Sequence, residues 1–90
     1  MTSYPRSTWR LILSPAGDGP RQMAVDEAIQ QAVAEGAVRP TLRLYAWDPP
    51  CLSLGRNQPI ADVDRDALWA AGYDLVRRPT GGRAILHTDE

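Results

Sequence analysis

Apolar and polar positions change their period several times along the 90 residues. Residues 8–13, TWRLIL, form a short apolar-rich run that predicts a strand, closed by the loop residues Ser14-Pro15-Ala16-Gly17-Asp18-Gly19. Pro20 suits the first turn of a helix. Val25, Ala28, Ile29, Ala32 and Val33 then recur at helical spacing, Asp26 and Glu27 lie in the early turns, and Gly36 can end the helix, so one face of it is expected to pack inward. Residues 41–47, TLRLYAW, return to period two, with Leu42, Leu44 and Ala46 alternating against Arg43, Tyr45 and Trp47. Asp48-Pro49-Pro50 turns the chain. CLSLG at 51–55 reads as a further strand with Leu52 and Leu54 on one face. Asp62 or Asp64 can cap a short helix through Ala71, stopped by Gly72. Finally, YDLVRR (73–78) and RAILHT (83–88) read as strands joined in a hairpin by Pro79-Thr80-Gly81-Gly82.

The order β-α-β-β-α-β-β predicts a mixed α/β (α+β) fold, with no internal repeat and no low-complexity linker. Ninety residues make one small domain at most. At this size only about 60–65% of the unfolded chain's surface becomes buried, so independent folding is expected to be marginal. Glu90 follows a predicted strand without a stop signal or a closing element, which leads us to expect an interrupted domain.

Charge excludes several chemistries. All ten basic residues are arginine, so the chain offers no lysine for a Schiff base, a P-loop or acylation. A net charge of −1 gives no general attraction to nucleic acid or to anionic membranes. One cysteine, Cys51, excludes an internal disulfide and a cysteine-cluster metal site. The longest apolar run near the start, residues 11–13, is too short for a signal-peptide core or a bilayer span, and a cytoplasmic location is expected.

Three candidate motifs fail on inspection. GDGPRQ lacks the third glycine of a dinucleotide fingerprint and carries Pro20 where a donor is needed. DVDRD at 62–66 opens like a calcium loop, but Ala67 stands where glycine is required and Tyr73 where a bidentate glutamate belongs; it reads better as a helix start, and no metal site is expected. Cys51 follows two prolines at the head of an apolar strand, a place for a small buried residue instead of a nucleophile. RRPTGGRAILH, residues 77–87, is different. Its glycines let backbone N–H groups approach an anion or a polarised carbonyl, and Arg78 and Arg83 offer forked donors. Alternation places Arg83, Ile85 and His87 on one face, which would suit a ligand with a polar head and a greasy tail.

MAVDEAI (23–29), TLRLYAWDPPCLSLGRNQ (41–58), DVD (62–64) and RRPTGGRAILH occur in the order and spacing of a known family. Together they resemble the N-terminal part of the biotin/lipoate A/B protein ligase family, closest to lipoate-protein ligases and octanoyltransferases. The resemblance implies a mixed, largely antiparallel sheet flanked by helices, with residues 1–90 as an N-terminal fragment of the catalytic domain. It also implies that Arg78, Thr80, Gly81, Gly82, Arg83, Ala84 and His87 bind substrate, with Leu54 and Ile85 nearer the fatty chain and Gly55, Arg56 and Gln58 beside the pocket. The family's essential lysine and its thioester cysteine lie downstream of the glycine segment, so no catalytic residue is expected before Glu90. GGRA is more similar to cysteine-dependent octanoyltransferases than to ligases. The resemblance thus implies transfer of an octanoyl or lipoyl group to a lysine of a lipoyl-carrier protein, from acyl carrier protein and without a cofactor. An ATP- and magnesium-dependent lipoate ligase is the alternative. A non-enzymatic module holding phosphate or acyl groups is the reading from another class, with no nucleic acid and no membrane as partner.

Overall fold

Two aspartates start the two helices. Asp18 accepts a hydrogen bond from the backbone N–H of Arg21 at 2.8 Å and opens α1 (Gly19–Ala34). Asp64 does the same for Ala67 at 3.1 Å and opens α2 (Arg65–Ala70). The computed structural model describes residues 6–88. Glu90 and the first five residues of the segment read for a leader lie outside them. Among the described residues the strands are β1 (Arg10–Leu13), β2 (Thr41–Leu44), β3 (Cys51–Leu54), β4 (Asp74–Arg77) and β5 (Ile85–His87), with a 3-10 turn at Ile60–Asp62. Element order is the one the periodicity predicts.

Strand pairing is mixed, and its balance differs from the expected largely antiparallel sheet. β1 and β2 run parallel, Arg10 opposite Thr41 and Leu13 opposite Leu44. β3 and β4 also run parallel, Cys51 opposite Asp74 and Leu54 opposite Arg77. In each case a helix crosses between the two strands and returns the chain to the same end, which dictates a parallel partner. Among the described residues only β3 and β5 are antiparallel, Cys51 opposite His87 and Ser53 opposite Ile85.

The order β4-β3-β5 also corrects the hairpin expectation. β4 and β5 do not pair with each other. β3 lies between them, its backbone hydrogen-bonded on both edges, and the Pro79–Gly82 segment crosses over the end of β3 instead of turning tightly. Among the described residues no helix is long and apolar enough to cross a membrane.

Burial is concentrated around β3. Cys51 and Ser53 are fully buried, Leu54 is nearly so, and Trp47 and Gln22 close the core. The first turn of α1 is tied to β4, the Gly19 N–H donating to Asp74 Oδ2 at 3.2 Å. Further along, α1 buries less than its periodicity predicts: Val25, Ile29, Ala32 and Val33 are half-buried and Ala28 is exposed. The β1–β2 pair is inverted relative to a common half-buried sheet. Leu11, Leu13, Leu42 and Leu44 are all more than half exposed, while Arg43, on the opposite face, has a side chain only 6% accessible.

Candidate functional site

Arg43 is buried because α1 supplies acceptors for it. Its Nη1 reaches Asp26 Oδ1 at 2.9 Å and the Gln22 carbonyl at 3.3 Å, its Nη2 contacts Gln22 Oε1, and its Nε donates to Ser14 Oγ at 3.0 Å. The same guanidinium lies 4.1 Å over the Tyr45 ring. Asp26 accepts a second bond from the Tyr45 hydroxyl at 2.6 Å. An ion pair whose guanidinium is buried and further bonded in this way, with its carboxylate partly exposed, fixes two elements relative to each other. Here it fixes α1 against the chain leaving β2.

That chain carries an aromatic series. Tyr45 packs on Trp47 with ring centroids 5.5 Å apart, and Trp47 stacks on His87 of β5 at 4.1 Å with the planes inclined by 19°. His87 then meets β3, its Nε2 lying 2.9 Å from Ser53 Oγ. Ser53 Oγ also accepts a bond from Arg78 Nη1 at 2.7 Å. Arg78 therefore joins the same cluster from the far edge of the sheet.

Arg78 organises the glycine loop. Nη1 also binds the Ser53 carbonyl at 2.8 Å, while Nη2 binds the carbonyls of Gly81 at 3.1 Å and Arg83 at 2.8 Å. All four Nη hydrogens are thus engaged by protein acceptors. Arg77 faces the other way and donates from Nη1 to the carbonyls of Gly55, Arg56 and Gln58. The loop is pinned further by Arg56 N to the Thr80 carbonyl and Arg78 N to the Leu54 carbonyl, both at 2.8 Å. Its crossing is so close that a Cβ built on Gly55 would lie 1.8 Å from the Gly82 oxygen. Gly82 itself has φ +97°, a region that side chains resist.

A pocket of about 210 Å³ lies between α1 and this loop. Met23, Tyr45 and Trp47 give it largely apolar and aromatic walls, with Asp26 and Gln30 of α1 among them, and Arg78, Pro79, Thr80 and His87 line its other side. Of the residues singled out from sequence, Arg78, Thr80 and His87 are brought together. Gly81, Gly82 and Arg83 instead line a separate opening of about 560 Å³ with Asn57, Gln58 and Asp62. Ala84 faces a third groove, shared with Leu52, Leu68 and Leu86. Arg83 and His87 do not converge as strict alternation suggests, because β5 begins only at Ile85 and the chain before it is still arching over Gly55.

Leu54 is sealed in the core, and Ile85 is about half exposed. Neither walls the smaller pocket. Met23, Tyr45 and Trp47 were missed as site residues, although the alternation of residues 41–47 already set Tyr45 and Trp47 on the face of Arg43. Ser53 was missed too; within CLSLG it reads as one more strand position.

Cys51 is enclosed. Burial, with help from the nearby Asp74 and Asp18 carboxylates, pushes its thiol from 9.0 up to about 12. A thiol held in its protonated form is a poor nucleophile. Asp64 of the DVDRD stretch serves as the α2 cap.

The sequence from residue 18 to residue 90 matches the lipoyl protein ligase A/B catalytic domain. The chain belongs to that family. Its relatives include octanoyltransferase LipM of Kyrpidia tusciae, 56% identical over 84 residues that cover 92% of this chain and 31% of the relative. Octanoyltransferase LipM of Symbiobacterium thermophilum is 51% identical over 82 residues, covering 90% and 30%. Among solved structures, Ta0514 from T. acidophilum with bound lipoic acid superposes with a TM-score of 0.77 at 34% identity, over 91% of this chain and 34% of its own. The chain thus spans about a third of the length of the curated relatives it matches. Within the lipoyl protein ligase A/B family, its mixed α+β architecture is the expected one.

Proposed function

We propose that this chain is the N-terminal third of an octanoyltransferase catalytic domain, and that the pocket between α1 and the glycine loop holds an octanoyl or lipoyl group. The observation that carries this reading is the pocket's two-sided character. Met23, Tyr45 and Trp47 suit a saturated chain, and His87, Thr80 and the Arg78 charge suit a thioester or carboxyl head. Similarity to LipM proteins, each about three times as long, supports the assignment to transfer.

Arg78 acts in this reading as the frame of the loop and as a fixed positive charge, because its Nη hydrogens are already engaged. Gly81, Gly82, Arg83 and Ala84 belong to the outer wall of the same loop, where an incoming carrier would approach. The acceptor is a lysine of a lipoyl-carrier protein and the donor is octanoyl on acyl carrier protein. The compartment is the cytoplasm. The groups that make and break bonds come from polypeptide beyond this segment, since the chain has no lysine and its only cysteine is enclosed. The exposed leucine face of β1–β2 agrees with further polypeptide packing there.

The test is octanoylation of a lipoyl domain, read by intact mass, with the full-length protein. Transfer from octanoyl-acyl carrier protein without ATP is expected, and the 90-residue chain alone is expected to give none. The similarity to Ta0514, described as a lipoate protein ligase and solved with bound lipoic acid, supports a lipoate ligase as the second reading, one that would require ATP and magnesium. Activity only with free acid and ATP would establish that reading, and activity with neither donor would remove both.

A further inference from the structure

Ser53 is fully buried, so its hydroxyl has no water to turn to. Two side chains contact it: Arg78 Nη1 at 2.7 Å and His87 Nε2 at 2.9 Å. A guanidinium only donates, so the Ser53 oxygen must accept from Arg78. The hydroxyl hydrogen then needs an acceptor of its own, because a stranded buried donor costs on the order of 1–3 kcal/mol. The Nε2 lone pair of a neutral imidazole meets that need. An Nε2–H would point a second hydrogen at an oxygen whose own hydrogen had lost its partner. Register makes the contact natural, since Ser53 is opposite Ile85 and His87 is its diagonal neighbour on the same face of the sheet.

We propose that Ser53 is a positioning residue: its hydroxyl takes a hydrogen bond from Arg78, gives one to Nε2 of His87, and so holds the imidazole as the Nδ1-protonated tautomer. The relay spans all three strands, Arg78 just after β4, Ser53 in β3 and His87 in β5. Trp47, stacked on the ring, fixes its plane, and Ser53 fixes which nitrogen carries the proton. The proposal rests on the acyl-pocket reading only for what His87 faces.

The experiment is a long-range 1H–15N correlation of the histidine rings in the full-length protein, with the His87→Gln spectrum identifying the His87 signals. In the unmodified protein Nε2 is expected to show the signature of an unprotonated nitrogen and Nδ1 that of an N–H. Ser53→Ala is expected to convert this to a mixture of tautomers or to the Nε2–H form, and to lower kcat roughly 10- to 100-fold with a smaller change in KM. Ser53→Thr, which keeps the hydroxyl, is expected to restore both readouts. Ser53→Cys, close to serine in volume but only a weak hydrogen-bond donor, serves the same purpose if Ser53→Ala does not fold. An Nε2–H tautomer in the unmodified protein, or an unchanged Nδ1–H tautomer once the hydroxyl is gone, overturns the proposal. The tautomer is read without any acyl donor. Its failure is therefore distinguishable from failure of the acyl-pocket reading, which the transfer assay decides.

Discussion

The carbonyl oxygen of Gly82 occupies the space where a side chain on Gly55 would begin, 1.8 Å from the ideal Cβ position. Backbone meets backbone there, and neither partner is a flexible side-chain tip that can swing aside. Gly55→Ala is therefore expected to lift the loop from β3 and to lower stability by about 1–3 kcal/mol, the usual range for overpacking. Thermal unfolding and octanoyl transfer should fall together. A variant with unchanged midpoint and rate would show that the loop closes in some other way.

The two loop glycines should respond differently. A Cβ on Gly81 meets nothing within 4 Å and its φ is not positive, so Gly81→Ala is expected to leave the midpoint within error. Gly82, at φ +97°, is expected to lose about 1–3 kcal/mol as alanine. Any transfer lost in Gly81→Ala then reports on ligand approach alone. Equal destabilisation of the two variants would contradict the backbone geometry.

Lysine is not expected to replace Arg78. A single ammonium cannot reach Ser53 on one side and the Gly81 and Arg83 carbonyls on the other at once. Arg78→Lys should cost about 2–3 kcal/mol, the scale of one charged hydrogen bond left unmade, and should depress transfer well beyond the effect on the midpoint. The pair of measurements to compare is a urea melt and the transfer rate.

Cys51 offers a pH test. Its thiol is raised from 9.0 to about 12, so the folded protein keeps a proton that the unfolded chain releases. The stability tied to that proton is complete below pH 9 and declines as pH rises toward 12. Cys51→Ala should flatten this alkaline decline in urea melts. Near pH 9, iodoacetamide should label the urea-unfolded protein quickly and the native protein slowly. Rapid native labelling would place Cys51 outside the core.

Local chemistry made much of this legible in the sequence. Aspartate caps, the proline turn and the two periods gave the element order, and the arginine-glycine stretch marked the loop that borders the candidate pocket. What local pattern could not supply was the partner of each strand. β5 pairs with β3 across more than thirty residues, and nothing in RRPTGGRAILH distinguishes an arch over another strand from a hairpin. Ser53 was hidden for the same reason, because its role exists only once β4 and β5 flank it. The leucines of β1 and β2 were misleading in a further way. Their alternation is genuine, yet the face covered by α1 is the one with Arg43, Tyr45 and Trp47, since Gln22 and Asp26 satisfy the charge.

The arch has more reach than its connection demands. The strands it links flank one other strand, a separation of about 9.5 Å at ordinary sheet spacing. Its seven residues, from Arg78 to Ala84, can extend to about 23 Å. Less than half that contour would close the sheet. The surplus is what folds back over Gly55, turns carbonyls toward Arg78 and shapes the pocket rim. Sheet and rim are consequently one unit: Arg78, the first residue of the arch, holds Ser53 of β3 and the carbonyls of the fold-back with the same guanidinium, so shortening the arch would loosen the centre of the sheet along with the rim.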